Sequence, residues 1–467
     1  MSQHKSIKVK ISQLAIDPSI DITVLFQHFA QQPWAMLLDS AGNQHIDARF
    51  DIMVAKPIAT LTTQQLESKV WRQHGSSYTS TVNPIDLLEL LQAELFANCE
   101  VVDQDYADLP FLVGALGYFG YDLGRRFETL PEQSKQEYDS PDMAVGLYNW
   151  SVIKDRLTGQ FYYCCLENLS TFEPQYFEQL VLKTKTNAQF NLSSDWRANL
   201  DESQYHNKLQ VIDDYLRAGD CYQINFAQRF SAQYQGDEWQ AYLTLRKANQ
   251  APFSAFIRLD NSCILSISPE RFLSLNDGQV QSKPIKGTRP RSNDPQQDQM
   301  AIQDLLNADK DRAENLMIVD LLRNDLSKHC LPHSVQVPKL FEIESFAAVH
   351  HLVSTVTGKL DEHSSAYSLF QGAFPGGSIT GAPKIRAMQI IDELEPHKRN
   401  IYCGSIGYFG IRQDMDSSIC IRTLLCENNS IYCWAGGGIV LDSVASEEYQ
   451  ESLDKVAKIL PLLGQLT

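Results

Sequence analysis

The chain has 467 residues, 43% of them hydrophobic, and a formal net charge of −17. This is enough for a substantial core in one large or two ordinary domains, and the negative charge speaks against nucleic acid or an anionic membrane as partner, because the attraction to phosphate is reversed. Apolar runs such as "LMIVDLL" are too short to span a bilayer, the start "MSQHKSIKVK" lacks an apolar signal core, and ten scattered cysteines without a C-x-x-C pair suit reduced thiols, so a cytoplasmic protein is expected.

The first landmark is "GALGYFGYDLG" (114–124), which shares G-x-x-G-Y-F-G with "GSIGYFGIRQD" (404–414). Chance recurrence and a related strand in two halves of one sheet system are both open, and the second is favoured. The polar stretch "NLSSDWRANLDES" marks a boundary near 190–202 and divides the chain into 1–195 and 196–467. Asp201 then caps a helix, with Gln204 three residues on, Tyr205, Leu209, Ile212 and Leu216 at helical spacing, and Gly219 as the stop. Strand-like runs follow in "CYQINFAQRF", "CILSISPERFLSL", "SSICIRTLLC" and "SIYCWAGGGIV". Helical patterns cover about 296–326, 383–394 and 445–463. The strands cluster rather than alternate with helices, which predicts an α+β fold with antiparallel sheet.

Several segments have the residue types of a site. In "SKPIKGTRPRS" (282–292), Lys286 lies beside Ile285 in a stiff Pro/Gly frame and is open to three readings: a surface loop, an anion site or a nucleophile. In "DRAENLMIVDLLRNDL" (311–326), Glu314 shares its helix face with Met317, Ile318 and Leu321. A carboxylate on that stripe needs a cation, a metal or a hydrogen-bond network, and pairing with Arg312 or Arg323 is the plain alternative. Glu448, Glu451 and Lys455 share a face of the last helix, which periodicity reads as a solvated charged face. "PGGSITGAPK" (375–384) is a near miss to a nucleotide loop, and "AGGGI" (435–439) can bring bare backbone up to a ligand or simply turn. Glu270 in "SISPERF" is either a surface turn residue or a general acid. Of His350 and His351 at least one reads as a satisfied core histidine.

Together "SPERF", "PIKGTRPR", "DRAENLMIVDLLRNDL", "HHLVST", "FPGGSITGAPK", "GSIGYFG", "IRTL", "AGGGIV" and "EEYQESLDK" resemble the chorismate-utilising enzymes along nearly the whole chain. The resemblance implies two large antiparallel sheets packed face to face with helices outside. At residue 286 the lysine resembles the branch that aminates chorismate at its 4-position, where the anthranilate-forming branch resembles a pattern with alanine. Members that make isochorismate or salicylate resemble a pattern with lysine on an earlier strand, where this chain has Gln223.

The resemblance therefore implies conversion of chorismate and ammonia to 4-amino-4-deoxychorismate, on the route to p-aminobenzoate and folate. Lys286 is implied as nucleophile, Glu270 as acid and His351 as a supporting residue near the ring. Mg²⁺ is implied on Glu314 and Glu451, bridging them to the ring carboxylate. Thr380, Tyr408, Arg422, the Gly436, Gly437 and Gly438 amides and Lys455 are implied to hold the two carboxylates. Burial beside Ile285, or Arg289 and Arg291 nearby, is expected to keep the Lys286 amine neutral. The chain has no G-x-C-x-G elbow, so a glutamine amidotransferase subunit is implied as heterodimer partner and ammonia source. In 1–195, Ser40 of "LLDS" and Asp47, Ala48, Arg49 and Phe50, with Pro252, Phe253 and Ser254, resemble a pocket for L-tryptophan; ordinary inter-domain packing is the alternative. An anthranilate-forming enzyme and a catalytically silent tryptophan-binding subunit are the rival functions.

Overall fold

The computed structural model describes residues 6–42, 47–101, 104–169, 171–185, 188–345 and 349–466. Two sheets, of 14 and 12 strands, hold the chain together. Their pairings are antiparallel except for Ile7–Leu14 beside Cys99–Val101 at one edge. Both faces of the larger sheet are buried. In its strand Met36–Asp39, Met36 packs into the core shared with the smaller sheet, and Leu37 packs into a second core. Helices Thr23–Phe26, Pro174–Leu180 and Glu238–Asn249 contribute to that second core. Alternate residues thus serve two cores, which explains the long apolar runs.

The two halves of the sequence do not make separate sheets. Met36–Asp39 pairs with Phe253–Arg258 in the larger sheet, and Gly114–Phe119 pairs with Ser405–Gly410 in the smaller. The latter two are the strands of the repeated G-x-x-G-Y-F-G, so the echo marks direct neighbours, with Gly117 opposite Gly407.

The helix opened by Asp201 runs Glu202–Ala218, with both capping-box hydrogen bonds and Gly219 left-handed, as its sequence predicts. The pattern over 296–326 is two helices, Pro295–Asn307 and Asp309–Ser327. Extended Ala308 breaks it, and Asp309 and Asp311 supply the acids of a new first turn. The pattern over 445–463 is Ala445–Asp454 and Leu460–Gly464, the second started by Pro461.

Two apparent single strands are also split, and this places the site. "CILSISPERFLSL" is Ser262–Ser268 in the larger sheet and Arg271–Asn276 in the smaller, so the chain crosses between sheets at Pro269–Glu270. "SSICIRTLLC" crosses back, from Met415–Ile419 to Thr423–Glu427, through Cys420–Arg422. The crossings are tied by backbone hydrogen bonds from Ile419 N to Glu270 O (3.0 Å) and Ile267 N to Arg422 O (3.1 Å).

The paired glycines are steric requirements. A Cβ on Gly117 would lie 2.1 Å from Ala144 O, and one on Gly407 would lie 2.5 Å from Asp416 O. Gly117→Val is expected to lower stability by about 1–3 kcal/mol, read as a shift of the urea midpoint against wild type.

Candidate active site

Lys286 lies on Ile285–Pro290, an end strand of the smaller sheet. Its pairing with Val349–Lys359 carries a bulge between Lys286 and Thr288, where Gly287 has φ +74°. The amine is not in bulk solvent. Nζ makes a long contact of 3.4 Å to Ser378 O, and burial lowers its pKa. Glu314, Glu270 and Glu451 oppose that shift, and Lys455 reinforces it. Arg289 and Arg291 do not act as expected: Arg289 pairs with Asp304 (2.5 Å) and Asp311 (3.3 Å), and Arg291 with Asp298 (3.0 Å).

Glu270 is 6% exposed, at the sheet crossing. Burial pushes its carboxyl up to about 7, against hydrogen bonds from Ser378 and the Ile285 N–H and the charges of Lys286 and Lys455. Ser378 Oγ donates to Glu270 Oε1 at 2.9 Å while Ser378 O faces Lys286, so one residue touches both groups. Ser378 was not picked out in the sequence; its signal is its place in the Gly-rich loop after helix Ala366–Ala373.

Glu314 stands at the edge of the buried stripe of Asp309–Ser327. The arginine partners do not form: Arg312 lies over the Phe341 ring (5.2 Å) and Arg323 pairs with Asp320 (3.0 Å). Among the described residues Glu314 has no ion pair or hydrogen bond, and burial raises its pKa against the charges of Lys286 and Lys310. The charged face of the last helix is not solvated throughout. Glu448 is 3% exposed, accepts from Ser443 Oγ (2.7 Å) and faces Lys310 (3.3 Å), because the helix packs on Ser430–Ile439. Burial raises the Glu451 pKa, but Lys455 at 2.6 Å, with Lys310 and Lys286, outweighs it and lowers the carboxyl.

Lys455 also donates to Gly436 O at 2.7 Å. The three glycines are close-approach positions. A Cβ on Gly436 would lie 2.0 Å from Phe226 O, and one on Gly437 3.1 Å from oxygens of both Glu448 and Glu451. One on Gly438 would lie 2.2 Å from Gln223 Nε2. Gln223 itself is fully buried, and neither amide atom has a hydrogen-bond partner among the described residues. Arg422 is left-handed (φ +51°), its pKa is lowered by burial alone, and its guanidinium has no protein partner among the described residues. The Thr380 hydroxyl turns inward to Gly376 O (3.0 Å). His351 Nδ1 meets Thr288 Oγ1 at 2.8 Å, and His350 is a satisfied core histidine between Ser345 (2.7 Å) and Asp298 (3.0 Å).

Tyr408 is elsewhere. It lines a separate cavity of about 270 Å³, with Asp47, Arg49, Phe50, Pro252, Phe253 and Ser254. Strand alternation puts Ile406 and Tyr408 together on that wall, and the charges around Tyr408 are Asp414, Asp416, Arg271 and Arg412 rather than the Lys286 group. Ser40 and Ala48 are buried behind the wall, Ser40 donating to Asp51 Oδ1 (2.5 Å).

Among the described residues no three His, Cys, Asp or Glu groups converge into a metal cage, and no helix is long and apolar enough to cross a membrane. Two carboxylates nevertheless suit Mg²⁺, which keeps waters and takes substrate oxygens. Unpaired Glu314 and the crowding of Glu448 and Glu451 against bare Gly437 fit that ion.

Burial of Glu270 has a consequence for stability. Its folded pKa lies above the ordinary value, so the folded state holds the proton more tightly, and its contribution to stability is lost as pH rises from about 4.5 to about 7. Glu270→Gln is expected to raise the melting temperature more at pH 8 than at pH 4, measured by thermal denaturation at both pH values.

The chain matches the family described as chorismate binding enzyme over residues 35–461. It is 52% identical to aminodeoxychorismate synthase component 1 of Klebsiella aerogenes, covering 93% of this chain and 95% of that protein. It is 50% identical to the protein of the same name from Escherichia coli K12, covering 94% and 95%. The crystal structure of anthranilate synthase component I from Streptococcus pneumoniae TIGR4 superposes with TM-score 0.75 at 30% identity, covering 89% of this chain and 93% of that one. By the match over residues 35–461 and by relatives 50–52% identical along more than nine-tenths of the chain, the chain belongs to the chorismate binding enzymes.

Proposed function

We propose that this chain converts chorismate and ammonia to 4-amino-4-deoxychorismate and water, the reaction for which its half-identical relatives are named. The observation that carries this reading is Lys286: a half-buried side chain whose amine has a lowered pKa and, among the described residues, no carboxylate in direct contact, beside a carboxyl raised to about 7. The anthranilate-forming branch, which places its amino group next to the ring carboxylate, resembles a pattern with alanine here, so the lysine favours amination at the 4-position.

The neutral amine attacks the ring while protonated Glu270 gives its proton to the 4-hydroxyl, which leaves as water. Ammonia then displaces the lysine, Lys286 departs as a neutral amine, and the new ammonium returns one proton to Glu270. Atoms and charge balance over the cycle. Arg422 and Lys455 offset the substrate carboxylates, and Ser378 holds acid and amine in register. Thr380 and His351 shape the wall, and the Gly436–Gly438 backbone leaves room for the ring. Mg²⁺ would be held by Glu314 and Glu451, and when bound it adds positive charge against a substrate carboxylate. Ammonia comes from a glutamine amidotransferase partner. Residues 196–467 carry this chemistry, and 1–195 supply much of the second cavity, where aromatic Phe50, Phe253 and Tyr408 suit L-tryptophan.

Wild type with chorismate, Mg²⁺ and ammonium is expected to give a product that keeps its enolpyruvyl group; an aromatic product would show the anthranilate reaction instead. Lys286→Ala is expected to form no covalent chorismate adduct by intact mass. Activity is expected to fall as pH rises through about 7, as Glu270 loses its proton. Glu314→Ala and Glu451→Ala are expected to lose the Mg²⁺-dependent activity, and unchanged Mg²⁺ titrations in both would remove them as ligands.

A further inference from the structure

Glu270 and Lys286 flank a hairpin, Arg271–Asn276 paired with Gln279–Ser282. Its ladder runs from Asn276 opposite Gln279 to Ser274 opposite Gln281 and stops short of the catalytic ends. There Arg271 pairs away, with Ser418, through a register irregularity before Leu273. The open end is closed by other contacts. Ser282 Oγ donates to Phe272 O at 2.8 Å, and the Ile285 N–H bonds the Glu270 carboxyl.

One carboxylate from outside the hairpin spans the same gap. Asp47 Oδ1 meets Arg271 Nη1 at 2.5 Å and Oδ2 meets Lys283 Nζ at 2.7 Å. Arg271 follows Glu270 directly, and Lys283 precedes Lys286 by three residues, with Pro284 stiffening the connection. The three side chains are only 10–12% exposed, so water screens the link little. The contacts form a closed ring: Asp47, Arg271, Glu270, the Ile285 N–H, Pro284, Lys283 and back to Asp47.

We propose that Asp47 is a positioning residue for the reaction, holding the segment of the acid and the segment of the nucleophile at their working separation. It acts through Arg271 and Lys283 and touches neither reacting group. The role rests on the lysine chemistry proposed above. Removing the Asp47 charge leaves Arg271 on Asp416 (3.0 Å) and Lys283 on Glu344 (2.6 Å), so neither cation is stranded and the cost falls on the spacing.

The test is the rate of the Lys286 adduct, followed by quenched intact mass with chorismate and Mg²⁺ and no ammonia. Asp47→Asn is expected to slow adduct formation about tenfold or more, since small misplacements of reacting groups cost large factors. The KM for chorismate is expected to stay within about twofold, and Asp47→Glu to recover part of the rate. Adduct formation by Asp47→Asn at the wild-type rate overturns the proposal. If that variant fails to fold by circular dichroism, Lys283→Gln reports on the same link, with slowing expected and a wild-type rate overturning it. Absence of any adduct in the wild type strikes the lysine route itself, and the role of Asp47 with it.

Discussion

The chemistry proposed for this chain depends on taking water away from a lysine without giving it a salt bridge. Among the described residues Nζ of Lys286 has a carbonyl at 3.4 Å as its hydrogen-bond contact, while Glu314, Glu270 and Glu451 act on it through space. A carboxylate in direct contact would favour the ammonium, which cannot attack. Burial instead favours the amine, and the same burial raises Glu270 to about 7. The acid and the amine are therefore moved towards each other in pKa, each in the direction of its neutral form. Environments that shift two titratable groups in opposite senses are how one site runs acid and base steps together.

The fold supplies that burial at a corner between its sheets. Within a strand, side chains are committed to one face or the other. Where the chain crosses between sheets that commitment lapses, and the crossings at Pro269–Glu270 and Cys420–Arg422 place Glu270 and Arg422 at adjoining points tied by two backbone hydrogen bonds. The Gly-rich loop brings Ser378 to the same corner, and the helices bearing Glu314 and Glu451 supply the carboxylates around it. Strands from both halves of the chain build each sheet, so the corner is rigid only when the whole chain is folded.

Much of this was legible in the chain. The capping box at Asp201 and the stop at Gly219 rest on local chemistry, and they hold; the G-x-x-G-Y-F-G echo marked related strands of one sheet, but that they are direct neighbours was not legible. Where reasoning from pattern failed, tertiary contacts were the cause. Periodicity set Glu448 on an exposed face, but a strand covers that face. "SSICIRTLLC" looks like one strand because nothing in its composition marks a change of sheet. Arg289 and Arg291 are close to Lys286 in sequence and spend their charge on Asp304, Asp311 and Asp298 instead. Tyr408 follows from strand alternation once the neighbours are known, and from the sequence alone its face is undetermined.

Charge pairing separates the roles of the two hollows. Around the 270 Å³ cavity the charges are matched: of the lining residues Asp47 pairs with Arg271 and Arg271 with Asp416, and Lys283, outside the lining, joins Asp47 to Glu344. Matched buried charges fix geometry, because each already has the partner that repaid its desolvation. At the sheet corner Arg422 and Glu314 have none among the described residues, and Gln223 buries an amide with no hydrogen bond. Such groups cost stability until something binds them. A ligand that brings both an anion and a cation is the kind that meets an unpaired cation and an unpaired anion at once. The charge-matched cavity wall is therefore suited to brace the strands beside it, and the corner, with its unmatched groups, is suited to a charged ligand.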